Sequence, residues 1–181
     1  YKRQLQRFAD GGKIQYDYKD DRSRTLVTEQ NGNKVVYVHD ERFRNIKTIY
    51  VDGEESFTYN ERNQLVSKID KNGNRTKFSY DDKGNTTQII FPDGARYCMT
   101  YDASNYLITM SINGVQKIKK TYDPKGNLIK ITDALGRCRK VEYDEKGNAL
   151  KIMLPDGSEI ALGYDDHGNI SQIIDPSGHC T

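Results

Sequence analysis

Residues 122–136 read Tyr122-Asp-Pro-Lys-Gly126-Asn-Leu128-Ile-Lys-Ile131-Thr-Asp-Ala-Leu-Gly136. Two turn signals bracket one short run of strand-forming residues. In Asp123-x-x-Gly126 the carboxylate can accept a hydrogen bond from backbone two residues on, and the glycine supplies the positive φ that ends the turn. Leu128–Thr132 is too short for a helix and rich in β-branched residues, so it reads as a strand. A second turn follows at Asp133-Ala-Leu-Gly136. The same pattern opens at Tyr143-Asp-Glu-Lys-Gly147-Asn-Ala and again at Tyr164-Asp-Asp-His-Gly168-Asn-Ile.

Working outward, the unit recurs along the whole chain. One turn signal gives Gly11, Gly32, Gly53, Gly73, Gly94, Gly114, Gly136, Gly157 and Gly178, at intervals of 20 to 22 residues. The other gives Tyr18, His39, Tyr59, Tyr80, Tyr101, Tyr122, Tyr143 and Tyr164, at intervals of 20 or 21. Asp81, Asp102, Asp123, Asp144 and Asp165 follow their tyrosines, and Gly84, Gly126, Gly147 and Gly168 close those turns. These residues define the repeat and are expected to act structurally, in turns and packing. Residues 1–181 thus form one array of about eight and a half 21-residue units, each a β-hairpin with two turns. Several units depart from the pattern. His39 stands for Tyr, Lys19 and Asn60 for Asp, and Arg22, Phe43, Asn63 and Asn105 for the turn glycine. Asn tolerates a left-handed backbone, whereas Arg and Phe adopt it only at a cost, so the turns at Arg22 and Phe43 are expected to be distorted.

Parity sets the direction of the side chains. Two and four residues before the repeat Tyr the residues are often apolar, as at Phe78, Met99, Tyr97, Val141, Leu162 and Ile160. One and three before stand polar ones such as Ser79, Lys77, Glu142 and Lys140. This period of two predicts strands with one buried and one wet face, the Tyr on the buried side. The tyrosines are expected to pack on one another as cross-strand aromatic pairs.

The fold class is therefore all-β, built from tandem antiparallel β-hairpins. Sixteen or so strands at about 4.8 Å each make roughly 80 Å of sheet. Open sheets beyond about 10 strands curl or split, so a coiled or spiralling sheet is expected. A four-bladed propeller is the rival, since paired units give about 42 residues per blade; alternate units show none of the difference a blade needs.

Composition excludes several function classes. The chain has 28 basic and 26 acidic residues, interspersed, which leaves no footprint for nucleic acid. No run of about 20 apolar residues suggests a membrane span. Cys98, Cys138 and Cys180 have no metal-ligand spacing and read as free thiols. Catalysis is not expected: His39, His167 and His179 have no partner at a spacing the repeat would not itself produce. Asp70-Lys-Asn-Gly73-Asn74 resembles a calcium loop only in passing, its Gly being two positions early. No cofactor or metal is expected. Asn74-Arg-Thr, Asn85-Thr-Thr and Asn169-Ile-Ser fit the glycosylation pattern but follow from the Gly-Asn dipeptide of the turn.

The tandem Tyr-Asp-x-x-Gly-Asn-Leu motif, followed by a hydrophobic strand and an Asp-x-x-Gly turn, resembles the YD repeats of Rhs proteins, of Tc toxin shell components and of teneurins. The resemblance runs from about Gly11 to Gly178. It implies a segment of a hollow β-shell that encloses or presents a toxin or other effector domain, in a secreted or cell-surface protein. It also implies, more weakly, carbohydrate binding. No equivalent of the family's plug, self-cleaving segment or toxin domain is recognisable. Asp175-Pro-Ser-Gly178 resembles the core-end motif of Rhs proteins but sits at the regular turn position.

The functional expectation is a non-enzymatic structural segment of a longer polypeptide, whose main partner is the remainder of its own shell. The other reading is a cell-surface module that binds a glycan or a protein through its exposed sheet. Either way, an isolated segment is expected to self-associate through open edges or an uncovered apolar face.

Overall fold

A computed structural model describes residues 2–9, 12–19 and 23–181. The expected turns at Gly11 and Arg22 lie outside them. The described residues hold seventeen strands and no helix. The chain divides into two compact units, Tyr1–Ser79 with Ile89–Gly94, and Tyr80–Gln88 with Ala95–Thr181.

The first unit runs through β1 (Lys2–Arg7), β2 (Lys13–Tyr18), β3 (Arg24–Thr28), β4 (Lys34–His39), β5 (Asn45–Tyr50), β6 (Gly53–Tyr59), β7 (Leu65–Ile69) and β8 (Arg75–Tyr80), apart from Tyr80. Each strand pairs antiparallel with the next. β9 (Thr86–Ile90) is shared between the units by residue. The second unit continues through β10 (Arg96–Tyr101), β11 (Leu107–Ile112), β12 (Val115–Tyr122), β13 (Leu128–Asp133), β14 (Cys138–Tyr143), β15 (Ala149–Met153), β16 (Glu159–Tyr164) and β17 (Ile170–Ile174), again paired in chain order. This is the all-β array of antiparallel hairpins that the repeat predicts.

Both turn classes close in the same way. At Asp123 the backbone N–H donates to the Asn127 carbonyl (2.9 Å), and the Gly126 N–H donates back to the Asp123 carbonyl (3.0 Å). Asp133 with Gly136 and Arg137 does likewise. This is a type I turn followed by a left-handed glycine, as expected. Two connections differ. Tyr50 pairs with Gly53 across the two-residue turn Val51-Asp52. Ile112 pairs with Val115 across Asn113-Gly114, whose φ angles of 51° and 81° make a type I′ turn. The spacing of Gly53 and Gly114 hides this change of turn.

Phe43 also departs from expectation. Its turn is regular rather than distorted: Phe43 N–H donates to the Asp40 carbonyl at 2.9 Å and Asp40 N–H to Arg44 at 3.0 Å. Phe43 itself takes the left-handed conformation at φ 61°. The turn's hydrogen bonds hold that geometry against the clash of the Phe43 Cβ with the following carbonyl, a cost of about 1–2 kcal/mol.

Side-chain alternation follows the predicted parity. In β8, Thr76, Phe78 and Tyr80 are half-buried while Arg75, Lys77 and Ser79 are exposed. Burial is shallower than that alternation suggests. Val35 is the buried hydrophobic residue among those described, and Thr48, at 2% exposure, is the most enclosed side chain. Within each unit, strands contact their neighbours in sequence. Repeat-to-repeat contact therefore stands in for a central core.

Candidate functional site at the tyrosine-aspartate turns

The repeated Tyr-Asp turn is the most organised feature of the molecule. At Asp81, one carboxylate oxygen accepts the Lys83 N–H (3.0 Å) and the Asn85 N–H (2.8 Å), and the other accepts the Asn85 side-chain amide (2.9 Å). Asp123, Asp144 and Asp165 make the same three bonds, at 2.8–3.0 Å. Asp102 accepts from Ser104 and Tyr106 N–H groups. The asparagine amide, followed by the backbone donors, holds Asp81, Asp123 and Asp165 below the usual carboxylate range; for Asp144 the Asn148 backbone N–H leads. Asn60 fills the aspartate's place without charge, accepting from Arg62 and Gln64 N–H groups at 3.0 Å. The bond from Asp to the backbone two residues on is as predicted. The asparagine after the glycine does more than form a turn dipeptide, since it returns to the carboxylate.

The turns after Tyr101, Tyr122, Tyr143 and Tyr164 are each followed by a bulge. Thr100 pairs with Thr109 but Tyr101 with Leu107, which leaves Ile108 as an extra residue. The same offset makes Ile129, Leu150 and Ser171 extra in β13, β15 and β17. A bulge locally disrupts the ladder. The next unit's tyrosine reaches the carbonyl just before that extra residue. Tyr122 hydroxyl donates to the Leu107 carbonyl (3.1 Å), Tyr143 to Leu128 (3.1 Å) and Tyr164 to Ala149 (2.9 Å). Tyr101 donates to Thr86 (2.9 Å) and Tyr59 to Asn45 (3.0 Å). Burial raises the phenol pKa of Tyr80, Tyr101 and Tyr122. The tie between repeats is thus a hydroxyl on a backbone carbonyl, rather than tyrosine packed on repeat tyrosine. Tyr18 differs, its hydroxyl donating to the Gln4 side chain.

Cations at the turn tips add a third link. Lys125 donates to the Glu145 carbonyl (2.9 Å), Arg42 to that of Glu61 (2.9 Å), and Lys83 to that of Ala103. Gly126 is also crowded. Tyr106 stacks on Tyr122 with centroids 4.8 Å apart, and its hydroxyl lies where a Cβ on residue 126 would sit.

The remaining sequence candidates stay apart or are already engaged. His39, in a tyrosine position, shares a contact of 3.2 Å with Thr25 Oγ1. Its Nδ1 is buried with no partner among the described residues. His167 lies at the Asp165 turn. Ser177, His179 and Asp175 do meet: Ser177 Oγ lies 2.5 Å from His179 Nδ1 and donates to Asp175 at 2.6 Å. The same imidazole nitrogen faces both Ser177 and Asp175, so the ring does not bridge them as a proton relay requires. Ser177 and His179 are exposed and Asp175 is half-buried. Among the described residues no His, Cys, Asp and Glu group has metal-binding geometry. The three cysteines are free. The side-chain amides of Asn74, Asn85 and Asn169 donate to their turn aspartates.

Comparisons with known proteins agree with this arrangement. A family model described as Teneurin YD-shell matches residues 99–180, and one described as RHS Repeat matches residues 59–96. No curated protein sequence matches the chain. Among solved structures, TcdB2-TccC3-Cdc42 aligns with a TM-score of 0.76 at 13% identity, over 94% of this chain and 11% of that one. TcdB2-TccC3 without its hypervariable C-terminal region gives 0.74 at 13% identity, over the same shares. A Photorhabdus luminescens Tc holotoxin pore gives 0.56 at 12% identity, over 94% and 12%. The likeness at this identity is one of fold, and the chain spans about a tenth of the length of those it matches.

Proposed function

Because the Teneurin YD-shell and RHS Repeat models match residues 99–180 and 59–96, we propose that this chain is a YD/RHS-repeat array, a non-enzymatic stretch of wall in a larger hollow β-shell that encloses or presents a toxin or other effector domain. Residues 1–181 act as a single array, and the repeated Tyr, Asp and Gly serve structure alone. One observation carries this reading. The repeats are bonded to each other through tyrosine hydroxyls while, among the described residues, Val35 is the one buried hydrophobic side chain. Such a sheet propagates as a wall and relies on the remainder of its polypeptide for cover. A secreted or surface-exposed setting suits that role.

Electron cryomicroscopy of the polypeptide carrying this array tests the proposal. A hollow particle with these repeats in its wall is the expected result. A solid particle, or repeats projecting as a separate arm, refutes it. The binding-module reading is less supported because Tyr101, Tyr122, Tyr143 and Tyr164 use their hydroxyls on backbone carbonyls. Specific glycan binding on an array, lost when the exposed Phe43 and Tyr106 are replaced, would reverse that preference.

A further inference from the structure

On the polar-parity face of the second unit, consecutive strands each carry a lysine. The registers Thr109–Lys119–Thr132 and Thr121–Lys130–Lys140 put Lys119, Lys130 and Lys140 on one face, with Lys151 diagonal to Lys140. Lys130 and Lys140 stand directly opposite each other, a like-charge pair that costs stability in a sheet. Elsewhere strand lysines face carboxylates, as Lys47 meets Glu54 and Lys68 meets Glu55 at 2.8 Å each, and on this face Lys151 is already paired with Glu159 at 2.9 Å. Lys119, Lys130 and Lys140 have no such partner among the described residues. Threonines 109, 121 and 132 line the stripe with hydroxyl donors. Glu142, opposite Lys151, borders it at one end.

From this face we infer a binding strip for a linear polyanion, and we propose inorganic polyphosphate as the ligand class. Neighbouring strands at about 4.8 Å and diagonals of about 7–8 Å space the ammonium groups along a line that a flexible chain of phosphates can follow. Lysine binds phosphate as a point charge and needs no fixed fork geometry. The strand aromatics of this unit, Tyr80, Tyr97, Tyr101, Tyr122, Tyr143 and Tyr164, have the opposite parity, so among the described residues this face has no strand aromatic on which a nucleobase or sugar ring could stack. Thr109, Thr121 and Thr132 flank Lys119 and Lys130, and a single apolar residue, Met153, stands opposite Lys140, a balance that disfavours a lipid surface. The inference concerns this chain by itself and does not depend on a shell.

Calorimetric titration of the chain with polyphosphate of defined length tests it. The expected result is binding that weakens with salt and falls roughly tenfold or more in the K119E/K130E/K140E variant, while K34E/K77E, exposed lysines of the first unit, leaves it unchanged. Thermal melting checks the fold, and K130Q/K140Q, which removes the opposed charges without adding new ones, replaces the reversal variant if that one unfolds. No binding, or binding indifferent to these changes, overturns the proposal. Equal or tighter binding of single-stranded DNA or of heparin at matched charge overturns the assignment to polyphosphate.

Discussion

Replacing Tyr122 or Tyr143 by Phe removes one hydroxyl and leaves the ring in place. The lost bonds, to Leu107 and Leu128 carbonyls at 3.1 Å each, are the links from a unit to the bulge of the unit before it. A hydrogen bond of this kind contributes about 1 kcal/mol net. The acceptor lies beside a bulge, so water can take part of the vacated place and keeps the loss from reaching the cost of a fully buried orphan. At about 2–4 °C per kcal/mol for a chain of this size, each single variant is expected to melt a few degrees lower. The urea midpoint falls by about 0.3–0.5 M at a slope of 2–3 kcal/mol/M. Tyr101, Tyr122, Tyr143 and Tyr164 stand one per repeat, so the quadruple variant loses about 4 kcal/mol if the sites are independent. Tyr16→Phe is the control, because its hydroxyl donates to the exposed Gln6 side chain at 3.4 Å rather than to a backbone carbonyl. If Tyr122→Phe and Tyr143→Phe lose no more than Tyr16→Phe in urea denaturation, the hydroxyls do not tie the repeats together and the reasoning fails.

Other outcomes follow from the same geometry. Stability is expected to plateau between two limits in a pH series followed by circular dichroism. The turn carboxylates, with folded pKa values below normal, stabilise above about pH 4 and lose that contribution as the pH falls through their folded values. The tyrosines, raised by burial, stabilise below about pH 10 and lose it above. Replacing Asp81, Asp123 and Asp165 with Asn, as at Asn60, should blunt the acid limb; an unchanged limb would show that the turns do not set it. Phe43→Gly relieves the left-handed strain of about 1–2 kcal/mol, offset in part by glycine's greater unfolded-state entropy, and should raise the melting temperature slightly. Gly126→Ala must displace the Tyr106 ring whereas Gly168→Ala enters open space, so melting of the former should drop further although both have left-handed φ. Equal losses would show that Tyr106 moves aside freely. Sedimentation should show concentration-dependent association of this chain, given exposed Val51, Leu135 and Phe43; a clean monomer at high concentration would count against it.

Turn chemistry made the hairpins legible, because Asp-x-x-Gly carries its mechanism in its residue types. Asn113-Gly114 was legible too, as the dipeptide of a type I′ hairpin, but the regular glycine spacing pointed to a longer loop. The tyrosine's acceptor was not legible. It is a backbone carbonyl, and the bulge residue after it is Ile108, Ile129, Leu150 or Ser171, with no shared side-chain signal. The asparagine's return to the aspartate had a signal, in Asn85, Asn127, Asn148 and Asn169 following their glycines. Phe43 shows the limit of propensity: the turn's hydrogen bonds outweigh an unfavourable residue. The lysine stripe depends on the register of successive strands, which bulges shift by one residue at a time, so spacing along the chain does not reveal it.

The direction of the tyrosine bonds has a consequence for synthesis. Tyr101, Tyr122, Tyr143 and Tyr164 each reach back 15 residues and none reaches forward to its acceptor. On a ribosome adding about 5–20 residues per second, a bulge waits about one to three seconds for the tyrosine that latches it. Growth is then a ratchet, in which each newly emerged hairpin secures the one ahead of it. The least secured part of the nascent chain is always the hairpin nearest the exit tunnel, where the ribosome still shields it from other chains.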